Sequence, residues 1–284
     1  MVPIPLPGTI LDPRSHTLVM GVINTTPDSF SDGGKHLATD VAVASGIRMI
    51  DSAADIVDIG GESTRPGSVA VSVDEEISRA IPVVKGIAQA RPRAVISIDT
   101  RRRVVGEKAI AAGAQIINDV TGFRDDPGLI DLAREARTGV IIMHMLGRPK
   151  TMQQEIHYDS FPGDIYSFFQ GRIRVLEDAG IAPEKIVIDP GIGFGKTFDQ
   201  NLILVNRLDV FRDLGKHILV GPSRKAFLGK ILDEPNPAAR DTGTLAVITA
   251  AVLRGASIVR VHEVPAAVQV CRVADAIVRE SVAP

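Results

Sequence analysis

Eight times along the chain a short run of apolar, largely β-branched residues leads to a polar or charged side chain: LVMGVIN to Asn24, IVDIG to Glu62, AVISID to Asp99, QIIN to Asn118, VIIMH to His144, KIVID to Asp189, ILVGPS to Ser223 and SIVRVH to His262. Runs of this length and character read as strands buried on both faces, as in a parallel sheet. Helical patterns lie between them. Ser72 and Glu75 have capping-box spacing ahead of a stripe at Ile77, Ile81, Val84 and Ile87, which Pro82 interrupts. Phe169, Ile173 and Leu176 form a second stripe and Leu204, Leu208 and Phe211 a third, each suited to packing a helix on a sheet. Gly113 and Gly180 stand where helices should stop. The alternation predicts an α/β fold, a single (β/α)₈ TIM barrel with its active site at the C-terminal ends of the strands. All eight polar termini should then face one cleft. Residues 1–15, with Pro3, Pro5, Pro7 and Pro13, read as an extended N-terminal arm, ahead of a barrel spanning 16–284.

Composition narrows the setting more than the chemistry. A chain of 284 residues that is 45% apolar can bury a core of barrel size. Its net charge of −2 gives no overall attraction to nucleic acid or acidic lipid, so any anion site must be local. The single cysteine, Cys271, excludes an internal disulfide and a cysteine-based zinc site, suits a reducing compartment, and reads as a helix-face core residue. The N-terminus lacks the basic start and unbroken apolar stretch of a secretory signal. The apolar stretch near 246–253 falls well short of the ~20 residues a membrane span needs. A cytoplasmic protein is expected.

Two segments after strands are dense in reactive side chains. Asn24 to Gly34 carries Asp28, Phe30, Asp32 and paired glycines, and its place on the rim makes it a mobile lid, with the next helix starting near Thr39. Gly60 to Gly67 brings Thr64, Arg65 and Pro66 behind two glycines. A hydroxyl and a guanidinium suit a phosphate, although this loop alone would serve equally as a turn with a surface arginine. Lys225, Arg260 and His262, at or just after other strand ends, tip the balance toward an anionic, diphosphate-bearing ligand. Gly191 to Thr197 ends like a Walker A motif, but Pro190 stands where that pattern needs glycine, and Lys196 stands where a dinucleotide fingerprint needs one. It is better read as a flexible rim loop. Asp99, Asn118 and Asp189 close three strands, and carboxylates with a carboxamide can recognise a heterocycle rich in donors and acceptors, such as a 2-amino-4-oxo ring.

Together these segments resemble the dihydropteroate synthase family of folate biosynthesis. The likeness runs from Leu18 to about Ile277 through the Asn24–Gly34 and Asp58–Gly67 segments, Ser97–Thr100, Asn118-Asp119, Met143-His144-Met145, Asp189–Phe194, Ser223-Arg224-Lys225 and Arg260-Val261-His262. Departures are small: Thr25 replaces a usual valine and Glu263 a common aspartate. The resemblance implies that p-aminobenzoate displaces diphosphate from (7,8-dihydropterin-6-yl)methyl diphosphate. It also implies that Asp99, Asn118, Asp189 and Lys225 hold the pterin and that Thr64, Arg65, Arg260, Val261 and His262 hold the diphosphate. Asn24 would assist Mg²⁺, and Phe30, Pro66, Phe194 and Ser223 would surround p-aminobenzoate. Asp32, Asp99, Asp189 and Lys225 are the expected catalytic residues, the acids stabilising a pterin cation formed when diphosphate leaves first. Sulfonamides are expected inhibitors and a homodimer the expected assembly. Two rivals share the features in part: a methyltetrahydrofolate-dependent corrinoid methyltransferase, which needs no diphosphate clamp, and a non-catalytic pterin-binding paralogue, which usually loses lid or clamp residues.

Overall fold

The computed structural model describes residues 2–25, 35–64, 67–148 and 150–282, with the side chains of 35–37 left aside. Phe30, Asp32, Arg65 and Pro66 therefore lie outside the described residues. The chain opens with a hairpin, β1 (Ile4–Leu6) and β2 (Thr9–Leu11), paired antiparallel. The alternating units follow: β3 (Leu18–Asn24), α1 (Lys35–Asp51), β4 (Ile56–Gly60), α2 (Val73–Ala90), β5 (Val95–Asp99), α3 (Arg103–Ala112), β6 (Ile116–Asp119), α4 (Gly128–Ala136), β7 (Gly139–Met143), α5 (Gly163–Asp178), β8 (Ile186–Asp189), α6 (Phe198–Asn206), β9 (His217–Val220), α7 (Ala226–Leu232), α8 (Asp241–Leu253), β10 (Ile258–Val261) and α9 (Val264–Arg279). Strands β3 to β10 close in chain order into a parallel barrel, with β10 returning to pair with β3. The predicted (β/α)₈ barrel is thus observed, with one added helix, α7, between β9 and α8.

Side chains alternate between the two faces of each strand. Outward residues such as Ile59, Ile98, Ile117 and Ile188 meet the helices, where Val84 and Ile87 of α2 and Phe169 and Leu176 of α5 are buried as their stripes predicted. Ser72 caps α2, its Oγ accepting the Glu75 N–H at 3.2 Å, and Gly113 ends α3 at φ 120°. Cys271 is buried against Val19, Val259 and Ile248. Helix α1 starts at Lys35, a turn before Thr39, since nothing in that turn breaks a helix. Among the described residues no helix is long and apolar enough to cross a membrane.

Residues expected as an extended arm instead fold back under the barrel. Ile4, Leu6 and Leu11 join inward-facing Leu18, Met20, Ile56, Ile141, Val187, Leu219 and Ile258 in one buried cluster. Burial of each large side chain contributes about 1.5–3 kcal/mol, enough to turn a proline-rich segment into a plug. Gly139, at the start of β7, makes room for it: a Cβ there would stand 2.8 Å from Leu6 Cδ2. With one end stoppered by hydrocarbon, the polar inward positions collect at the other.

Candidate active site

Strand register sets those polar positions side by side. Asn24 pairs with Gly60, Gly60 with Asp99, and Asp99 with Asn118, so four neighbouring strands contribute to one layer. Glycine in that row leaves a gap. A Cβ built on Gly60 would lie 3.8 Å from Asp99 Oδ2 and 3.9 Å from Asn24 Oδ1, so both oxygens border the same space. One layer lower stands Asp58, fully buried, paired in register with Val22 and Ser97. Its Oδ2 accepts the Asn118 Nδ2–H at 3.0 Å and the Arg260 Nε–H at 2.7 Å, while Arg260 Nη2 donates to Asp99 Oδ2 at 3.1 Å.

Crowding two acids around one guanidinium shapes their titration. Burial, followed by the charge of Asp58, pushes the Asp99 carboxyl up to about 8, with Arg260 opposing the rise. Burial also raises Asp189, whose Oδ1 accepts the Gly191 N–H at 2.8 Å and near which Lys225 and Arg260 act in the opposite sense. Burial works against the Arg260 charge, but Asp58 and Asp99 outweigh it and hold its pKa above the ordinary value. Asp58 is not among the residues that the strand-end pattern marks. Its signal was faint, a lone acid inside the apolar run IVDIG, at the inward parity shared by Gly60.

Above this floor opens a cleft of about 1240 Å³, lined among others by Asn24, Thr64, Asp99, Phe194, Ser223, Lys225, Arg260 and His262. Asn118 and Asp189 lie deeper, both buried. Lys225 sets its ammonium 4.1 Å from the centre of the Phe194 ring, a cation–π contact. Ser223 Oγ accepts the His262 backbone N–H at 3.3 Å and sits 2.9 Å from His262 Nδ1. Arg224 adopts φ 60° and is held by Asp241 through two bonds of 2.8 Å. The second loop is tied at its base: Glu62 pairs with Arg101 and Arg102, and Arg102 also binds buried Glu76 at 2.6 Å and the Val71 carbonyl at 2.7 Å.

Three sequence expectations need correction. Val261 faces outward, packed with Val19, Val252 and Val264, because it alternates with inward Arg260 and His262. His144 does not face the cleft. It is buried against the rings of Phe168 (5.0 Å) and Tyr158 (6.0 Å), where desolvation, then the nearby Lys196 charge, pushes its pKa down to about 2. The Gly191–Thr197 loop, expected to be flexible, is pinned throughout: Gly193 N–H donates to Asn201 Oδ1 (2.6 Å), Gln153 Nε2 to the Gly193 carbonyl (2.9 Å) and Tyr158 Oη to the Gly195 carbonyl (2.8 Å). Glycine permits this, since a side chain at Gly191 would run into the His144 carbonyl oxygen.

A barrel whose mouth sets buried acids and a carboxamide below cations is built to grip a flat polar heterocycle that carries an anion. A family described as "Pterin binding enzyme" matches residues 20–262. The dihydropteroate synthase of Synechocystis sp. is 44% identical over 277 residues, covering 98% of this chain and 96% of the relative. Solved structures agree: Xanthomonas albilineans dihydropteroate synthase with 4-aminobenzoic acid superposes with a TM-score of 0.90 at 40% identity, covering 97% of each chain. The Yersinia pestis dihydropteroate synthase in complex with a sulfonamide drug gives 0.91 at 40% identity, covering 99% of this chain and 100% of that one. The chain belongs to the dihydropteroate synthase family.

Proposed function

We propose that the chain forms 7,8-dihydropteroate by a dissociative substitution in the barrel mouth. As a member of its family it is a transferase of folate biosynthesis, condensing (7,8-dihydropterin-6-yl)methyl diphosphate with p-aminobenzoate. The observation that carries the mechanistic reading is the joined set of Asp58, Asp99, Asn118 and Arg260 beneath a cleft lined by Thr64, Lys225 and His262.

In this reading the 2-amino group and ring N–H of the pterin donate to buried carboxylate, with Asp99, Asn118, Asp189 and Lys225 framing the ring. Thr64, Arg65, Arg260 and His262 take the diphosphate. With Ser223 accepting the His262 backbone N–H, its own O–H is placed to donate to Nδ1, which leaves Nε2 of His262 as the N–H donor toward a phosphate oxygen. The C–O bond breaks with its electron pair going to diphosphate, and the cation left behind spreads over the dihydropterin ring. Asp189 and Asp32 on the lid, joined by Asp99 in its deprotonated form, stabilise that cation electrostatically. The aniline nitrogen of p-aminobenzoate then adds its lone pair to the methylene carbon and one N–H proton is released. Phe30, Pro66, Phe194 and Ser223 surround the amine substrate, and lid closure excludes the water that would capture the cation.

The donor set is compatible with Mg²⁺. That ion keeps several waters and binds through one or two protein oxygens plus substrate phosphates, and the carboxamide oxygen of Asn24 borders the gap over Gly60. When bound, Mg²⁺ supplies charge neutralisation to the diphosphate. Sulfonamides, which share the aniline ring of p-aminobenzoate, are expected to compete for the same space. A cytoplasmic homodimer completes the proposal, with exposed Phe198, Leu202 and Ile231 on α6 and α7 as candidates for its interface; sedimentation equilibrium is the check.

The test is diphosphate release measured with and without p-aminobenzoate and Mg²⁺. Release coupled one-to-one to dihydropteroate supports the reading. Pterin binding with no release on adding p-aminobenzoate would identify a carrier and overturn it.

A further inference from the structure

Lys196 is a lysine shut inside the rim, 2% exposed. Its Nζ lies 3.0 Å from the Phe194 carbonyl oxygen, 3.4 Å from the His144 carbonyl oxygen and 3.1 Å from His144 Nδ1. An ammonium has three N–H groups and no acceptor, and three acceptors surround this one. His144 can be the third because it is held neutral at Nδ1. The side chain therefore ties the loop after β8 to the end of β7. It grips that loop at Phe194, whose ring meets Lys225, and Gly193 beside it lies under the Lys225 stem, where a Cβ would come 3.1 Å from Cδ.

We propose that Lys196 is a positioning residue for the aromatic amine substrate, its ammonium fixing the Phe194 carbonyl to His144 so that the Phe194 ring and Lys225 form a preset side of the p-aminobenzoate site. The inference rests on the assignment of Phe194 to that site. A lysine that merely filled space would be replaceable by methionine, which matches its stem. Titration gives the proposal a second handle. Burial pushes Lys196 down to about 7, Asp189 opposing the shift and Lys225 adding to it. The groups that bear on the pair are thus Asp189 and Lys225 at Lys196, with Arg124 acting on His144 and the Tyr158 hydroxyl on the Gly195 carbonyl. Above that pH the amine has two N–H groups for three acceptors, and the hold on Phe194 loosens.

The experiment is steady-state diphosphate release by full-length protein, each substrate varied while the other is saturating. Lys196→Met should raise the KM for p-aminobenzoate by about tenfold or more while the KM for the pterin diphosphate changes by less than about twofold. Lys196→Arg should restore most of the loss. In the unmodified protein the KM for p-aminobenzoate should climb as pH rises through about 7, and Lys196→Met should lack that step; saturating pterin keeps Asp99 out of the comparison. Should Lys196→Met fail to fold, Tyr158→Phe, which releases the Gly195 carbonyl of the same loop, should shift the same KM in the same direction. Equal changes in both KM values, or none, in a protein whose unmodified form turns over would overturn the role of Lys196 alone. Absence of turnover in the unmodified protein would instead count against the assigned reaction.

Discussion

Arg260 and Asp58 stand 202 positions apart in the chain, and inside the barrel the Nε of one donates to the Oδ2 of the other at 2.7 Å. The same guanidinium also reaches Asp99, so the charge state of Asp99 depends on Asp58. Asp58→Asn should remove the second-largest cause of the raised Asp99 pKa and bring its titration down from about 8. Carboxyl ¹³C shifts of labelled aspartate would follow it, and an unmoved Asp99 titration would refute the coupling. Stability follows with a definite sign. The folded protein keeps a proton on Asp99 that the unfolded chain gives up near pH 4, so this contribution is complete below about pH 4 and lost as pH rises through about 8. Asp58→Ala removes the acceptor shared by Arg260 Nε–H and buried Asn118 Nδ2–H and should cost on the order of 3 kcal/mol.

Mg²⁺ dependence should be confined to ligands that carry diphosphate. Asn24 contributes a carboxamide oxygen beside Asp99 with no counter-charge of its own, which suits a cation already half-held by phosphate. Chelation should weaken calorimetric binding of the pterin diphosphate by about tenfold or more, yet leave a pterin lacking diphosphate unaffected. Asn24→Ala should reproduce the effect of the chelator. Equal loss of both ligands would mean that the cation supports the fold rather than the leaving group.

How far this site was legible in the chain depends on the period of the signal. Strand ends announce themselves because an apolar run has to stop at a polar residue, which is why Asn24, Asp99, Asn118 and Asp189 were readable. Inward parity was equally available at Arg260 and His262, and it should have excluded Val261. What the pattern concealed was pairing between distant strands. Asp58 lies inside an apolar run and Lys196 inside a glycine-rich loop, and only closure of the barrel gives the first its guanidinium and the second its two acceptors on His144. The hairpin was missed for a related reason: proline content marks irregular backbone, while the hydrophobic plug depends on the open floor of a barrel that the local sequence does not contain.

Closeness at that floor can be tested with a single methyl group. Gly139→Ala would bring a methyl group to 2.8 Å from Leu6 Cδ2 and 3.3 Å from Ile116 Cγ1, and should destabilise the protein by about 1–3 kcal/mol. Leu6→Ala alone leaves a cavity and should cost about 2–4 kcal/mol. Because the added methyl occupies part of the space that Leu6 vacates, the double variant should be more stable than the sum of the two predicts, read from urea midpoints. Strict additivity would show that the hairpin does not press on β7.

Acid should act on the molecule through His144. Burial among Phe168 and Tyr158, then the charge of Lys196, hold its imidazole neutral down to about 2, whereas the unfolded chain accepts that proton near 6.5. Between those values the unfolded state binds more protons, so stability falls as pH drops below about 6.5 and goes on falling toward about 2. His144→Gln keeps an acceptor for Lys196 but cannot be protonated, and its urea midpoint should fall less between pH 7 and pH 5 than that of the unmodified protein. Asp99 acts in the opposite sense across this interval, gaining stability on acidification, but it does so in both proteins and drops out of their difference. If the two midpoints fell in parallel, the imidazole would have to be accepting its proton inside the folded protein, and the Lys196 ammonium would lose the neutral nitrogen on which its third hydrogen bond depends.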